Sequence, residues 1–74
     1  MKTKHDIILE GWHKKVSAWN RAADDIEFII NDRDIDEVEK YLRIKLVFEQ
    51  TRAKEHYIDE IVIREVAKYE AENI

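Results

Sequence analysis

Histidines and carboxylates at helical spacing are the residues of this chain best suited to metal chemistry. Glu10 and His13 form a Glu-x-x-His pair, the spacing at which di-iron helical bundles present ligands. His56 precedes Glu60 by one helical turn, and His5 stands alone. We expect Glu10 and His13 to face solvent. Because the three histidines are scattered and cysteine is absent, we predict no metal site and no cofactor.

Groups for nucleophilic or acid–base catalysis are equally sparse. Ser17 is the only serine, and no glycine-rich turn exposes it. Asp24 and Asp25 are adjacent, so their side chains diverge on a helix. The single glycine, Gly11, cannot form a phosphate-binding loop. A thin helical core also has little room for a ligand cavity, so we expect neither an enzyme nor a small-molecule substrate.

Two tryptophans, Trp12 and Trp19, are seven residues apart and therefore share one helix face. Such a pair either packs in the core or offers a stacking platform for nucleic-acid bases. Basic residues alternate with acidic ones along the chain, and the net charge is -4. The core interpretation is therefore favoured, and a small nucleic-acid-associated regulator stays open as the alternative function.

Composition predicts one small domain, residues 1–74, made of long helices. Charged residues make up 41% of the chain, with one glycine and no proline. A chain this short rarely buries enough apolar surface alone, and without cysteines oligomerisation is the remaining means of stabilisation. No apolar run is long enough to span a membrane and no signal peptide is recognisable, so we expect a cytoplasmic protein without a membrane partner.

The first helix is predicted over about residues 4–30. Thr3 and Asp6 resemble a capping box at its start. Apolar residues alternate at three and four positions, which is typical of a coiled-coil seam. This tryptophan stripe consists of Leu9, Trp12, Val16, Trp19, Ala23, Ile26 and Ile30. Gly11 lies off the stripe and is expected only to weaken the helix slightly.

A turn at 31–34 and a second helix at about 35–73 complete an antiparallel, coiled-coil-like hairpin. Asn31 tolerates the left-handed conformation that ends many helices, and Asp34 with Glu37 resembles the next cap. Folding about this turn places residue i opposite roughly residue 65 − i. The predicted seam of the second helix then consists of Ile35, Val38, Leu42, Leu46, Ala53 and Tyr57.

The second helix carries another apolar row, which the hairpin mate is not expected to cover. Thr51 and Glu55 interrupt this row, and its C-terminal half lies in a predicted unpaired extension. We predict a protein interface formed by Tyr41, Ile44, Phe48, Ile58, Ile61, Val62, Ile63, Val66 and Tyr69. Two copies running antiparallel about Glu55 would form a four-helix bundle as a homodimer. A different partner protein on this row stays open.

The function expected from these features is a non-enzymatic protein-interaction module. The apolar surplus of the second helix predicts binding to another protein, as an adaptor, an inhibitor or an assembly chaperone.

Overall fold

The computed structural model describes residues 2–73 and confirms the predicted all-α hairpin. Helix α1 spans Lys4–Ile30 and helix α2 spans Glu37–Glu72. The ion pair between Lys4 Nζ and Glu70 Oε1, at 2.7 Å, links the open ends of the two antiparallel helices. The Cα trace measures 58 × 16 × 9 Å, so the protein is a single layer of two helices.

A capping box begins α1, as the sequence predicts. The Asp6 backbone N–H donates to Thr3 Oγ1 at 3.2 Å, and the Thr3 backbone N–H donates to Asp6 Oδ2 at 3.0 Å. The bond from the Thr3 backbone favours the charged carboxylate and lowers the pKa of Asp6. The box thus satisfies two backbone groups that the helix itself leaves without a partner.

The connection between the helices differs from its prediction at both ends. Asn31 ends α1 in the right-handed conformation, with φ −85°, and not in the left-handed one. The N-cap of α2 is Asp36, whose side chain accepts from the Glu39 N–H at 2.8 Å. Asp34 instead donates its N–H to Asp32 Oδ1 at 2.9 Å, within the connecting segment. The turn is therefore residues 31–36, because an aspartate two positions further on supplies the cap.

The face of α1 that packs on α2 is not the tryptophan stripe, so the predicted seam is wrong. Leu9, Trp12, Val16 and Ile30 are exposed, as are Val38, Leu42, Leu46 and Tyr57 on α2. A small-residue row, Gly11, Ala18 and Ala22, is instead buried or half-buried, with Ile7 before it and Ile29 after it. Of the predicted stripe, Trp19 and Ile26 are half-buried beside this row. Small side chains let the helix axes approach more closely than tryptophans would.

Gly11 is a contact position of this small-residue row. A Cβ at residue 11 would collide with Cγ2 of Val62, so the α2 side chain occupies space that only glycine leaves open. Val62 belongs to the row of α2 predicted to face another chain. The structure places this row against α1, because its β-branched side chains fit onto the small residues of α1.

The register of the hairpin also differs from its prediction. Gly11 meets Val62, Lys15 pairs with Asp59, and the Trp19 indole bonds to Glu55. Residue i therefore lies opposite roughly residue 74 − i. The predicted unpaired extension of α2 does not exist in this arrangement, since its last turns run beside the first turns of α1.

The middle of the helix contact is formed by small residues. The observed register puts Ala22, which is 3% exposed, opposite Thr51, which is 6% exposed. The Thr51 hydroxyl donates to the Val47 carbonyl at 2.7 Å, so its burial leaves no polar group without a partner. Thr51 therefore belongs to the contact with α1, although it was predicted only to interrupt the second apolar row of α2.

Replacing Gly11 tests the close approach of the helices. In the wild-type background, Gly11→Ala should lower the free energy of unfolding by about 1 kcal/mol, because overpacking against Val62 outweighs the gain in helix propensity. In a Val62→Ala background the same change should be stabilising. Chemical denaturation of the four proteins in a double-mutant cycle measures the coupling. Equal effects in both backgrounds would contradict the contact.

Acidification tests the capping box. The folded pKa of Asp6 is lowered, so its contribution is present above its ordinary pKa of about 3.9 and is lost as the pH falls through the folded pKa. The stability difference between wild type and Asp6→Asn should be largest near neutral pH and vanish in acid. Circular dichroism melts from neutral to acidic pH measure this stability difference, with Asp24→Asn as the control. A difference that does not change with pH argues against the cap.

Candidate protein interface

One flank of the hairpin carries most of the large aromatic side chains. We name it the aromatic flank and define it by Trp12, Val16, Trp19, Tyr41 and Phe48. The Trp19 and Phe48 rings meet edge to face across the helices, with centroids 5.6 Å apart. Trp12 and Val16 share the flank because they precede Trp19 by seven and three residues. Trp12 is 57% exposed and Val16 is 54% exposed, so the flank is open to solvent.

A hydrogen bond holds Trp19 in place on this flank. Its indole Nε1–H donates to Glu55 Oε2 at 2.8 Å, and both residues are half-buried. Together with the Phe48 contact, this bond orients the ring across the groove between α1 and α2. Glu55 thus lies beside α1, and not on a free surface of α2.

Lys15 connects the two helices further along the same flank. Its ammonium lies 4.5 Å from the centroid of the Trp12 ring and forms an ion pair with Asp59 of α2. The Lys15 side chain is only 14% exposed, because its methylene groups lie along apolar surface while its charge has two partners.

The α2 half of the aromatic flank is a shallow groove. Its volume is about 350 Å³, and its lining residues are Tyr41, Ile44, Lys45, Phe48, Glu49 and Arg52. Tyr41 and Phe48 are exposed, and Lys45 and Arg52 form no ion pair with another residue in the described part of the chain.

A second apolar surface lies on the outer side of α2. We name it the outer ridge and define it by Leu42, Leu46, Ala53 and Tyr57. Leu46, Ala53 and Tyr57 each follow a seam residue by two positions, and two residues correspond to about 200° of helix rotation. The ridge therefore points away from α1, and its large members Leu42, Leu46 and Tyr57 are all exposed.

The hairpin exposes more surface than a compact protein of its mass. It has 6236 Å² accessible to solvent, whereas a compact monomer of 8.9 kDa exposes about 4,800 Å². The radius of gyration is 17.1 Å, against about 11 Å for a compact domain of this length. Ile7 and Ala22 are the apolar residues that are buried among residues 2–73. Large apolar side chains are exposed on both the aromatic flank and the outer ridge, including Trp12, Val16, Leu46 and Tyr57.

The predicted interface residues divide between the hairpin contact and the surface. Ile58, Ile61 and Val62 line a crevice with Ile7 and Gly11 of α1 and are half-buried. Ile44, Val66 and Tyr69 are also half-buried, because the observed register places α1 beside them. Tyr41, Phe48 and Ile63 are exposed. For all nine residues, contact with another chain stays a prediction.

The residues considered for chemistry are dispersed over the surface. Glu10 pairs with Lys2 at 2.7 Å, while His13 is exposed. His56 Nε2 and Glu60 Oε1 lie 3.2 Å apart as a surface pair. Within residues 2–73, no group of three or more potential metal ligands comes together. Neither helix has a described stretch long and apolar enough to cross a membrane.

Sequence reasoning missed the exposed apolar surface that α1 contributes. It assigned Leu9, Trp12 and Val16 to the core because they form the strongest apolar stripe. The spacing of Gly11, Ala18 and Ala22 was the signal for the true seam, since small residues recurring on one helix face permit close packing. The stripe and the small-residue row lie side by side on α1, and only one of them can face α2.

The Trp19–Glu55 bond can be tested by a second mutant cycle. Trp19→Phe keeps an aromatic ring beside Phe48 but removes the N–H, and should cost about 1 kcal/mol of unfolding free energy because the bond is only partly buried. The cost should be much smaller in a Glu55→Ala background. Urea denaturation followed by circular dichroism measures both, and Trp12→Phe is the control for loss of an indole. An equal cost in both backgrounds would show that the bond contributes nothing.

Comparison with known protein families, curated proteins and solved structures finds no match to this chain.

Proposed function

We propose that this protein is a non-enzymatic interaction module that self-associates and binds another protein. The observation that supports the proposal is the excess of exposed apolar surface on a single layer of two helices. Protein domains are ordinarily built from at least two packed layers, and a second hairpin would supply the missing one. The resulting homodimer would be a four-helix bundle.

Binding of another protein requires a surface that self-association leaves open. The aromatic flank and the outer ridge are separate, so a dimer that uses one of them still presents the other. A row of apolar side chains on one helix, such as the ridge, fits a partner helix lying alongside it. The roles consistent with this arrangement are those of an adaptor, an inhibitor or an assembly chaperone.

Self-association is tested on the wild-type protein. Sedimentation equilibrium should give a mass of twice the 8.9 kDa chain, and the melting temperature should rise with protein concentration. A single-chain mass together with a concentration-independent melting temperature would refute the dimer.

Partner binding is tested with a ridge variant. Leu46→Asp should abolish capture of a protein from extract of the native cell, while Phe28→Asp, on another face, should not. The captured complex should persist between low and moderate salt, because apolar docking depends little on ionic strength. Recovery of nucleic acid that is lost steeply over the same range would support the alternative regulator.

A further inference from the structure

We propose that the aromatic flank is the surface on which a second copy of this chain packs, face to face. The inference rests on the proposed self-association and adds the surface that carries it. The interface would combine α1 residues, Trp12, Val16 and Trp19, with α2 residues, Tyr41 and Phe48. The second-helix row predicted from the sequence would contribute only its exposed members.

The dimensions of the hairpin fit this contact. Its broad side measures 58 by 16 Å, an area on the order of 900 Å², and stable specific interfaces bury about 800 Å² per partner. Both helices contribute to the aromatic flank, so a second two-helix layer can cover it along its length. The outer ridge lies on one helix and offers a narrower strip.

Two polar groups on the aromatic flank already have partners within one copy. The Trp19 indole is bonded to Glu55, and the Lys15 ammonium lies between Asp59 and the Trp12 ring. Covering these two groups therefore leaves neither without a partner, and an unpaired buried donor is the main penalty for burying polar groups. Trp and Tyr are also the residue types that dominate binding energy at protein interfaces.

Charge along the α2 edge of the flank is self-complementary. The half of α2 near the turn carries two basic residues and one acidic residue on this edge, Lys45, Arg52 and Glu49, and neither Lys45 nor Arg52 forms an ion pair with another described residue. Glu55 and Asp59 lie on the half towards the open end. A second copy running antiparallel places the half with the net positive edge of one α2 against the acidic half of the other.

The test compares three charge insertions at exposed apolar positions. Val16→Asp lies on the aromatic flank, Leu46→Asp lies on the outer ridge, and Phe28→Asp lies on the flank opposite Trp19, since nine residues are two and a half turns. Val16 and Leu46 are 54% and 53% exposed, so neither change removes a buried contact of the single hairpin. Circular dichroism establishes that each variant is helical.

Sedimentation equilibrium should show Val16→Asp as a single chain where wild type, Leu46→Asp and Phe28→Asp are dimers. The dissociation constant should rise at least about a hundredfold, because one carboxylate from each copy would enter the apolar contact. A dimeric Val16→Asp, or a monomeric Leu46→Asp or Phe28→Asp, would overturn the assignment to the aromatic flank. A monomeric wild type would instead refute the proposed self-association itself.

Tryptophan quenching provides a measurement without any substitution. Trp12 and Trp19 both lie on the aromatic flank, so acrylamide quenching of wild-type fluorescence should fall as the protein concentration rises through the association range. Quenching that stays constant while sedimentation reports a dimer would overturn the proposal, because the flank would then remain open to solvent.

Discussion

Close approach of the two helices at Gly11 is the constraint on which the rest of the structure depends. The Val62 side chain occupies the space beside the glycine that any larger residue would fill. Once this contact is made, Lys15 pairs with Asp59 and Trp19 with Glu55 at successive turns. Small residues on α1 and β-branched residues on α2 therefore set both the facing sides and the register of the hairpin.

This packing has a direct consequence for the bulky side chains. With the small-residue row turned towards α2, the tryptophans lie beside the contact and not within it. The hairpin is a rod one helix deep, and its centre is formed by small residues such as Ala22 and Thr51. Such a layer is helical and well capped but leaves much apolar surface in water. The proposed association follows from this exposed apolar surface, which a second copy would cover.

The polar contacts on the aromatic flank join the helices and also orient its rings. Trp19 is held by Phe48 on one side and by Glu55 on the other, and Trp12 is covered in part by Lys15. Rings held in this way lose less side-chain freedom when another surface covers them. The same residues thus stabilise the single hairpin and prepare the flank for a contact.

The sequence by itself determined the helices, the antiparallel hairpin and the N-terminal cap, because capping and turn signals act between residues close in the chain. It also showed that α2 has apolar residues on two sides. Only the tertiary structure decided which side is covered and in which register. Apolar periodicity favours the helix face with the largest apolar side chains, whereas helix packing depends on how closely two backbones can approach. On α1 the glycine and two alanines of the small-residue row allow the closer approach, so this less bulky face packs on α2. The exposure of Trp12 follows from that choice.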